Sequence, residues 1–317
     1  FSSEPPSPVR RASLLQRRRL SPTLIMDVST IAKGTSSHAS QASDSDDLQK
    51  YKFLDVLGRG SCGTVYRAIR KADDNPLALK LMRMNDDELL GRAKNEFGLL
   101  RSIDHRHIVK AFDFFQYPEG VVMVLEFIPG STLDVVVKQA PERRLGEAEV
   151  RPLFSALVSA ISCLHAAGIA HRDVKAQNLM VSPDLGDLKL IDFNIAEQFS
   201  VSEGALFSLS GTADYMAPEI LTGEACTEAS DIWGAGVCLH LALSGKLPLE
   251  LCRFPTHMDF GRELRSRIPA LLRGRLWSEL GLSEACLGTM QRCLEVDYLK
   301  RADALDLLGT SWLGDLH

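Results

Sequence analysis

The sequence predicts an α+β protein in two lobes, a small one built on five strands and one main helix, then a larger helical one. Three observations carry this expectation. Short apolar or alternating runs separated by turn residues fill the stretch from Tyr51 to Phe127. A single stretch of helical spacing interrupts them between the third run and the fourth. After Pro129-Gly130 the apolar residues recur mainly at helical spacing.

Residues 1–47 come first. They are rich in Ser, Pro and Arg (Ser7-Pro8, Arg17-Arg18-Arg19, Ser21-Pro22) and turn acidic at Asp44-Ser45-Asp46-Asp47. Such a segment buries too little apolar surface to offset its chain entropy, so a disordered tail is expected. Its Arg-rich, acid-poor character also has the flavour of an organelle transit peptide. Strands are expected at Tyr51–Leu57, Thr64–Ile69, Leu77–Met82, Ile108–Phe115 and Val121–Phe127. The helix between the third and fourth, Asp86–Ile103, carries Leu89, Leu90, Ala93, Phe97 and Leu100 at near-helical spacing. Helices follow at Ser131–Gln139, Glu147–Ala167, Glu228–Leu243, Glu284–Leu294 and Ala302–Leu308. The folded part is thus expected over 48–315, with lobes of 48–127 and 128–315 joined near Glu126–Pro129. Clefts between lobes are favoured places for ligands.

Composition narrows the function classes. Apolar residues make up 45% of the 317 and charged residues 24%, the balance of a soluble globular protein with a sizeable core. A net charge of −5 argues against a nucleic-acid binder that neutralises phosphates over its whole surface. Residues 1–43 hold six Lys or Arg against two acids, a net +4, so the remainder carries −9. The basic tail reads as a solvated arm, with contact to a membrane, a nucleic acid or the acidic body as the other reading. Seven scattered cysteines without a Cys-x-x-Cys pair read as reduced intracellular thiols, hence a cytoplasmic expectation. The longest apolar stretch, around Ile232–Ser244, contains His240 and is too short to span a bilayer, so no transmembrane helix is expected. The chain does not begin with Met, which leaves upstream targeting open.

Chemistry-bearing residues lie along this frame in order. Gly58-Arg59-Gly60-Ser61-Cys62-Gly63 sits between two expected strands. Glycines let backbone N–H groups approach phosphate oxygens with no Cβ in the way, although a glycine-rich hairpin is also a common turn. A dinucleotide site needs a helix directly after the glycines, and here a strand follows. Lys80 stands inside the third apolar strand, where a lysine either snorkels or meets a charge. Glu96, sixteen residues on and placed on the Leu89, Phe97 and Leu100 face of the helix, is the candidate partner.

The most specific segment is His171-Arg172-Asp173-Val174-Lys175-Ala176-Gln177-Asn178, polar residues set between an apolar helix and Leu179-Met180-Val181. Phosphoryl transfer needs a carboxylate to orient the attacking hydroxyl, a cation for the moving phosphate and oxygen ligands for Mg²⁺. Asp173, Lys175, Asn178 and Asp192 supply these in order.

With these motifs in place the chain resembles the eukaryotic protein kinase family, over about Tyr51 to Trp312. The matching set is Gly58–Val65, Lys80, Glu96, His171–Asn178, Asp192-Phe193, Gly211-Thr212, Ala217-Pro218-Glu219, Asp231-x-Trp233-x-x-Gly236 and Arg301. The resemblance implies the bilobal protein kinase fold and Mg-ATP as phosphate donor. It implies that Leu57, Gly58, Gly60, Gly63, Val65, Ala78 and Lys80 line the nucleotide, with Lys80 on its α- and β-phosphates held by Glu96. Glu126 and Ile128 offer backbone groups to adenine, with Leu125 as gatekeeper. Asp173 orients the acceptor hydroxyl, Lys175 stabilises the γ-phosphate, and Asn178 and Asp192 hold the metal. Glu219 and Arg301 form a buried ion pair, Asp231 holds backbone N–H groups of the catalytic loop, and Thr212 bonds near Asp173 and Lys175. Lys175 and Gly211-Thr212 follow the serine/threonine pattern, so Ser/Thr hydroxyls of protein substrates are the expected acceptors. The Leu294-x-x-Asp297-x-x-x-Arg301 pattern and the late Trp312 resemble the calcium/calmodulin-dependent group.

Departures from the pattern raise further expectations. Asn194 replaces the glycine that usually follows Asp192-Phe193 and is expected to restrict the flip of that turn while leaving the metal ligand in place. Arg172 suggests phosphorylation by an upstream kinase at Ser208, with Ser210 as alternate. Glu197, standing where many relatives have a second basic residue, would repel that phosphate, and a segment ordered by packing alone is the other reading. Thr132 and Gln177 replace the acids that select arginine in a substrate, so weak or no arginine preference is expected. His105 and His107 read as structural, and Cys62 as a small filler rather than an oxidisable thiol. An inactive nucleotide-binding relative and a small-molecule kinase are the competing readings. Retention of Lys80, Asp173 and Asp192 speaks against the first, and the segment ending Ala217-Pro218-Glu219 against the second.

Overall fold

All five expected strands form, and they share one sheet. The computed structural model describes residues 47–60, 63–83, 87–117, 120–198, 212–224 and 227–314. Strands β1 (Tyr51–Gly60), β2 (Gly63–Arg70), β3 (Pro76–Arg83), β4 (Ala111–Tyr117) and β5 (Gly120–Glu126) are ordered β1-β2-β3-β5-β4. Strands β1 and β2 pair antiparallel from Tyr51↔Arg70 to Gly60↔Gly63, with irregularities between Phe53 and Val56 and between Val56 and Gly58. Strands β2 and β3 pair antiparallel with Val65 opposite Lys80. Central β3 is buried from Leu77 to Met82 on both faces, which is why it reads as a continuous apolar run and not as an alternation.

Helix α1 (Asp87–Ser102) starts with Asp87 and Glu88 and ends with Arg101, each complementing the helix dipole. Its buried stripe is Ala93, Glu96, Leu99 and Leu100. Leu89, expected on the same face as Glu96, is 40% exposed, because the stripe begins one turn further along.

The rest of the chain is mainly helical. Helices α2 (Leu133–Gln139), α3 (Glu147–Ala166), α4 (Pro218–Leu221), α5 (Ala229–Ser244), α6 (His257–Leu271), α7 (Leu276–Glu279), α8 (Glu284–Cys293) and α9 (Ala304–Leu308) alternate with short strands. Those are β6 (Ser131–Thr132), β7 (Ile169–Ala170), β8 (Leu179–Val181), β9 (Leu188–Leu190) and β10 (Glu197–Gln198). Strands β6-β8-β9 form one small sheet and β7-β10 another. Helix α5 is the hub: it is buried at nearly every position and packs on α3, α8 and α2. It stops at Gly245, whose φ of 73° is left-handed and where a Cβ would lie 2.2 Å from the Arg143 carbonyl oxygen. Ser283, Asp303 and Thr256 cap α8, α9 and α6 by accepting from Cys286, Asp306 and Asp259 N–H groups. Glu147 ties α3 to the C-terminal end, accepting from Trp312 Nε1 at 2.8 Å and Ser283 Oγ at 2.6 Å.

The chain divides into two compact units, one comprising residues up to Asp86 with Asp113–Val124, the other Asp87–Phe112 with Leu125–His317. This differs from a boundary at 127. Residues 87–112 group with the second unit because their connection is bonded there: Val109 N–H donates to Leu190 O (3.1 Å), and Leu190 N–H to His107 O (2.8 Å). His105 and His107 serve the same connection, as expected of structural residues. His107 Nδ1 lies 3.0 Å from Leu188 O, and His105 Nε2 3.2 Å from Ser159 Oγ. Among the described residues no helix is long and apolar enough to cross a membrane.

Candidate active site

In the first unit, the β1–β2 hairpin carries Gly58 opposite Val65 and Gly60 opposite Gly63. A Cβ added at Gly58 or Gly60 would meet nothing within 4 Å, and neither has a positive φ, so packing does not demand glycine at either place. Gly63 differs: its φ is 138° and a Cβ there would lie 2.0 Å from Leu81 O. Ser61 and Cys62 lie outside the described residues. Leu57 is exposed, Val65 half-buried and Ala78 buried. Lys80 is only 7% exposed on β3, a charge taken from water inside an apolar strand. Glu96, in the second unit, is likewise buried, at 2% exposure.

The second unit holds the residues of the 171–178 loop, and they converge. The base of the loop is set by α5. Asp231, fully buried near its start, accepts the His171 N–H on Oδ2 (2.9 Å) and the Arg172 N–H on Oδ1 (2.8 Å), as expected of it. His165, on α3, adds a third contact to Oδ2 at 3.0 Å. Burial pushes the Asp231 carboxyl up, but the His165 hydrogen bond, the nearby His165 and His171 and the His171 N–H outweigh it and hold the group below its usual range. Gly234 lets α5 reach the loop closely, since a Cβ there would lie 2.5 Å from Val174 O.

The His171 ring is equally constrained. The Asp173 N–H donates to Nδ1 (3.3 Å), so Nε2 carries the proton and donates to Ile191 O (3.2 Å). It packs edge-to-face with Phe193, fully buried, at a centroid distance of 4.8 Å. The residue before Phe193, Asp192, has a φ of 64°, while Asn194 is not among the described residues with positive φ. The left-handed backbone of this turn therefore falls on the aspartate, and the tolerance of Asn for such angles is not drawn on at 194.

Around Asp173 the bonding is dense. Its Oδ2 receives Asn178 Nδ2 at 3.0 Å and Lys175 Nζ at 2.6 Å, and its Oδ1 receives the Thr212 N–H at 3.2 Å. Lys175 Nζ also donates to Thr212 Oγ1 at 2.8 Å. The Asn178 amide nitrogen donates a second time, to Asp173 O at 2.9 Å, which leaves its Oδ1 as the donor-free end. Arg172 Nη1 pairs with Glu197 Oε2. Glu219 and Arg301, both with fully buried side chains, form the expected ion pair in two-pronged form, 2.6 and 2.9 Å, with the guanidinium 5.0 Å from the Trp233 ring centroid. Ser208, Ser210 and Gly211 lie outside the described residues.

At the Glu126–Ile128 segment, Glu126 N–H is taken by Lys110 O at 2.9 Å, so its carbonyl is the group left to offer a ligand. Ile128 is half-buried. The Glu126 side chain is held by Lys189 at 3.0 Å, a contact the sequence reading missed. It also missed His165 and Asn95, whose Nδ2 donates to Ala196 O at 3.4 Å. A polar residue next to Glu96, or one facing a buried aspartate, carries no spacing signal that singles it out.

Residues 51–313 match the family model described as Protein kinase domain, and the chain belongs to that family. It is 32% identical over 278 residues to maternal embryonic leucine zipper kinase of Xenopus tropicalis, covering 85% of this chain and 40% of that protein. It is 29% identical over 277 residues to serine/threonine-protein kinase 33 of Mus musculus, covering 83% and 54%. A probable serine/threonine-protein kinase, mkcF of Dictyostelium discoideum, is 34% identical over 235 residues, 74% and 33%. The chain thus spans about a third to a half of the length of these relatives.

Proposed function

We propose that this chain transfers the γ-phosphate of Mg-ATP to serine or threonine hydroxyls of protein substrates. The observation that carries the reading is the bonded set Asp173, Lys175, Asn178 and Thr212. One carboxylate is fixed by three donors, and one ammonium is held against it by a threonine hydroxyl. In this reading Asp173 aligns the acceptor hydroxyl and takes its proton, and Lys175 turns to the transferring phosphoryl group. Thr212 holds Lys175 in place, and the relatives' names, serine/threonine kinases, support the acceptor class.

Gly58 and Gly60 suit a phosphate, because their missing side chains serve no packing. Lys80 is the phosphate-holding cation and Glu96 the carboxylate the family gives that lysine. The carbonyl of Glu126 and the backbone of Ile128 are the groups the family offers to adenine, and Leu57, Val65 and Ala78 are the apolar residues it gives the nucleotide. Among the described residues no three His, Cys, Asp or Glu side chains gather as a metal cage. Asn178 Oδ1 and the Asp192 carboxylate are hard oxygen donors of the kind Mg²⁺ takes along with phosphate oxygens. Bound Mg²⁺ offsets the negative charge on the phosphates during transfer.

Selectivity follows from what stands near the acceptor. Thr132 and Gln177 carry no carboxylate for a basic peptide, and the nearby Asp134, which accepts from Thr132 Oγ1 at 2.7 Å, is already paired with Lys138. Five described cysteines (163, 238, 252, 286 and 293) are free thiols, which fits a reducing, cytoplasmic setting. The test is labelled Mg-ATP with a serine, threonine and tyrosine peptide library. Label on serine and threonine with little arginine selection is expected, and label confined to tyrosine or absent contradicts the reading.

A further inference from the structure

We infer that Glu197 is a positioning residue for this reaction: its carboxylate, paired with Arg172, holds the loop carrying Asp173 without any phosphate on the chain. The inference rests on the kinase reading above and adds how that site is kept ordered.

Arg172 immediately precedes Asp173, and both of its ends are fixed. Its backbone N–H is held by Asp231 at 2.8 Å. Its φ of 66° is left-handed, a conformation that costs an arginine roughly 1 kcal/mol or more and persists only where neighbours enforce it. The guanidinium is at the other end. The side chain is 10% exposed, so its charge is largely removed from water and calls for a counter-charge. Glu197 supplies one.

The backbone delivers Glu197 to that place. Strands β7 and β10 pair antiparallel with Glu197 opposite Ala170, two residues before Arg172, and Gln198 opposite Ile169. Ladder and ion pair together close a short ring that includes the start of the catalytic loop. The Glu197 side chain is 43% exposed, so salt screens its charge and its hold comes from directed bonding as much as from attraction. A phosphate brought to Arg172 would meet this carboxylate and have to displace it. Phosphorylation at Ser208 or Ser210 is then unnecessary for turnover.

The test uses the full chain, treated with a phosphatase and shown by mass spectrometry to carry no phosphate. Turnover of a serine peptide is measured beside hydrogen exchange of the amides in Ile169–Lys175. The dephosphorylated protein is expected to keep at least about half its kcat. Glu197→Gln, which keeps shape and removes charge, should lower kcat about tenfold with KM for ATP within about twofold, and speed exchange across the loop. Glu197→Asp should recover part of the loss. Adding Arg172→Ala to Glu197→Gln should cost less than it does alone, because the two act through one contact. Loss of turnover on dephosphorylation overturns the inference, as does a Glu197→Gln variant with unchanged kcat and exchange. If the wild type binds nucleotide but never transfers phosphate, the kinase reading fails instead. The exchange arm then decides this inference: acceleration in Glu197→Gln upholds it and no change rejects it.

Discussion

Thr212 shows how one residue can bring two charged side chains together. Its N–H and its Oγ1 engage Asp173 and Lys175 respectively, so the two charged groups share one anchor from the segment before Ala217. Hydrogen bonds to charged groups contribute about 1.5–3 kcal/mol. Thr212→Val, which keeps shape and N–H but loses the oxygen, should therefore lower kcat roughly 10- to 100-fold with little change in melting temperature. Thr212→Ser, which restores the oxygen, should recover most of it. Equal kcat in Val and wild type would remove Thr212 from the mechanism. Asp173, Lys175 and Asn178 were legible in the sequence, because charged and amide side chains set between apolar elements have no core role to explain them, whereas Thr212 was legible only through the resemblance to the kinase family. Lys189 and His165 were not legible, since a lone lysine or histidine at an element's edge is ordinary until its partner, Glu126 or Asp231, is seen in space.

At the scale of elements, α5 does most of the placing. It brings Asp231 and Gly234 to the catalytic loop, and it buries His240 at 2% exposure. The His240 Nδ1 donates to Lys246 O at 2.8 Å, while Nε2 is buried without a hydrogen-bond partner. Burial lowers this histidine to about 4, the Lys246 carbonyl opposing only in part. Above pH 6.5 it is neutral folded or unfolded. Between about 6.5 and 4 the unfolded chain takes up a proton that the native one does not, so stability falls as pH drops. The loss from this group is on the order of 2 kcal/mol by pH 5. Thermal melts at pH 7 and pH 5 should show a smaller drop for His240→Gln than for wild type, and equal drops would contradict the assignment. Helix α5 was legible from its apolar run. Helix α6 was not: Arg262, Arg265, Arg267 and Pro269 dilute its apolar stripe of Phe260, Leu264 and Ile268. Strands β6 to β10 are two or three residues long, below the length at which alternation is visible.

For the molecule as a whole, the Glu219–Arg301 pair joins α4 to the connection between α8 and α9. With both side chains fully buried, removing one partner leaves a bare charge in the interior. Arg301→Met should destabilise the protein by about 3–5 kcal/mol, and Glu219→Leu in the same chain should return part of it. A denaturation series in which the double variant is less stable than the single would contradict this. The fold class was legible because sheet and helix periodicities occupy separate stretches of chain. The unit division was not, since residues 87–112 are assigned by hydrogen bonds to β9 that no local pattern announces. The central claim is that the Asp173 carboxylate drives phosphoryl transfer on bound Mg-ATP, and the most direct measurement compares wild type with Asp173→Asn for transfer to a serine peptide and for nucleotide affinity. The expected result is a fall in kcat of about 10³-fold with nucleotide affinity retained. Equal turnover in the two proteins, or a wild type that binds no nucleotide, would contradict it.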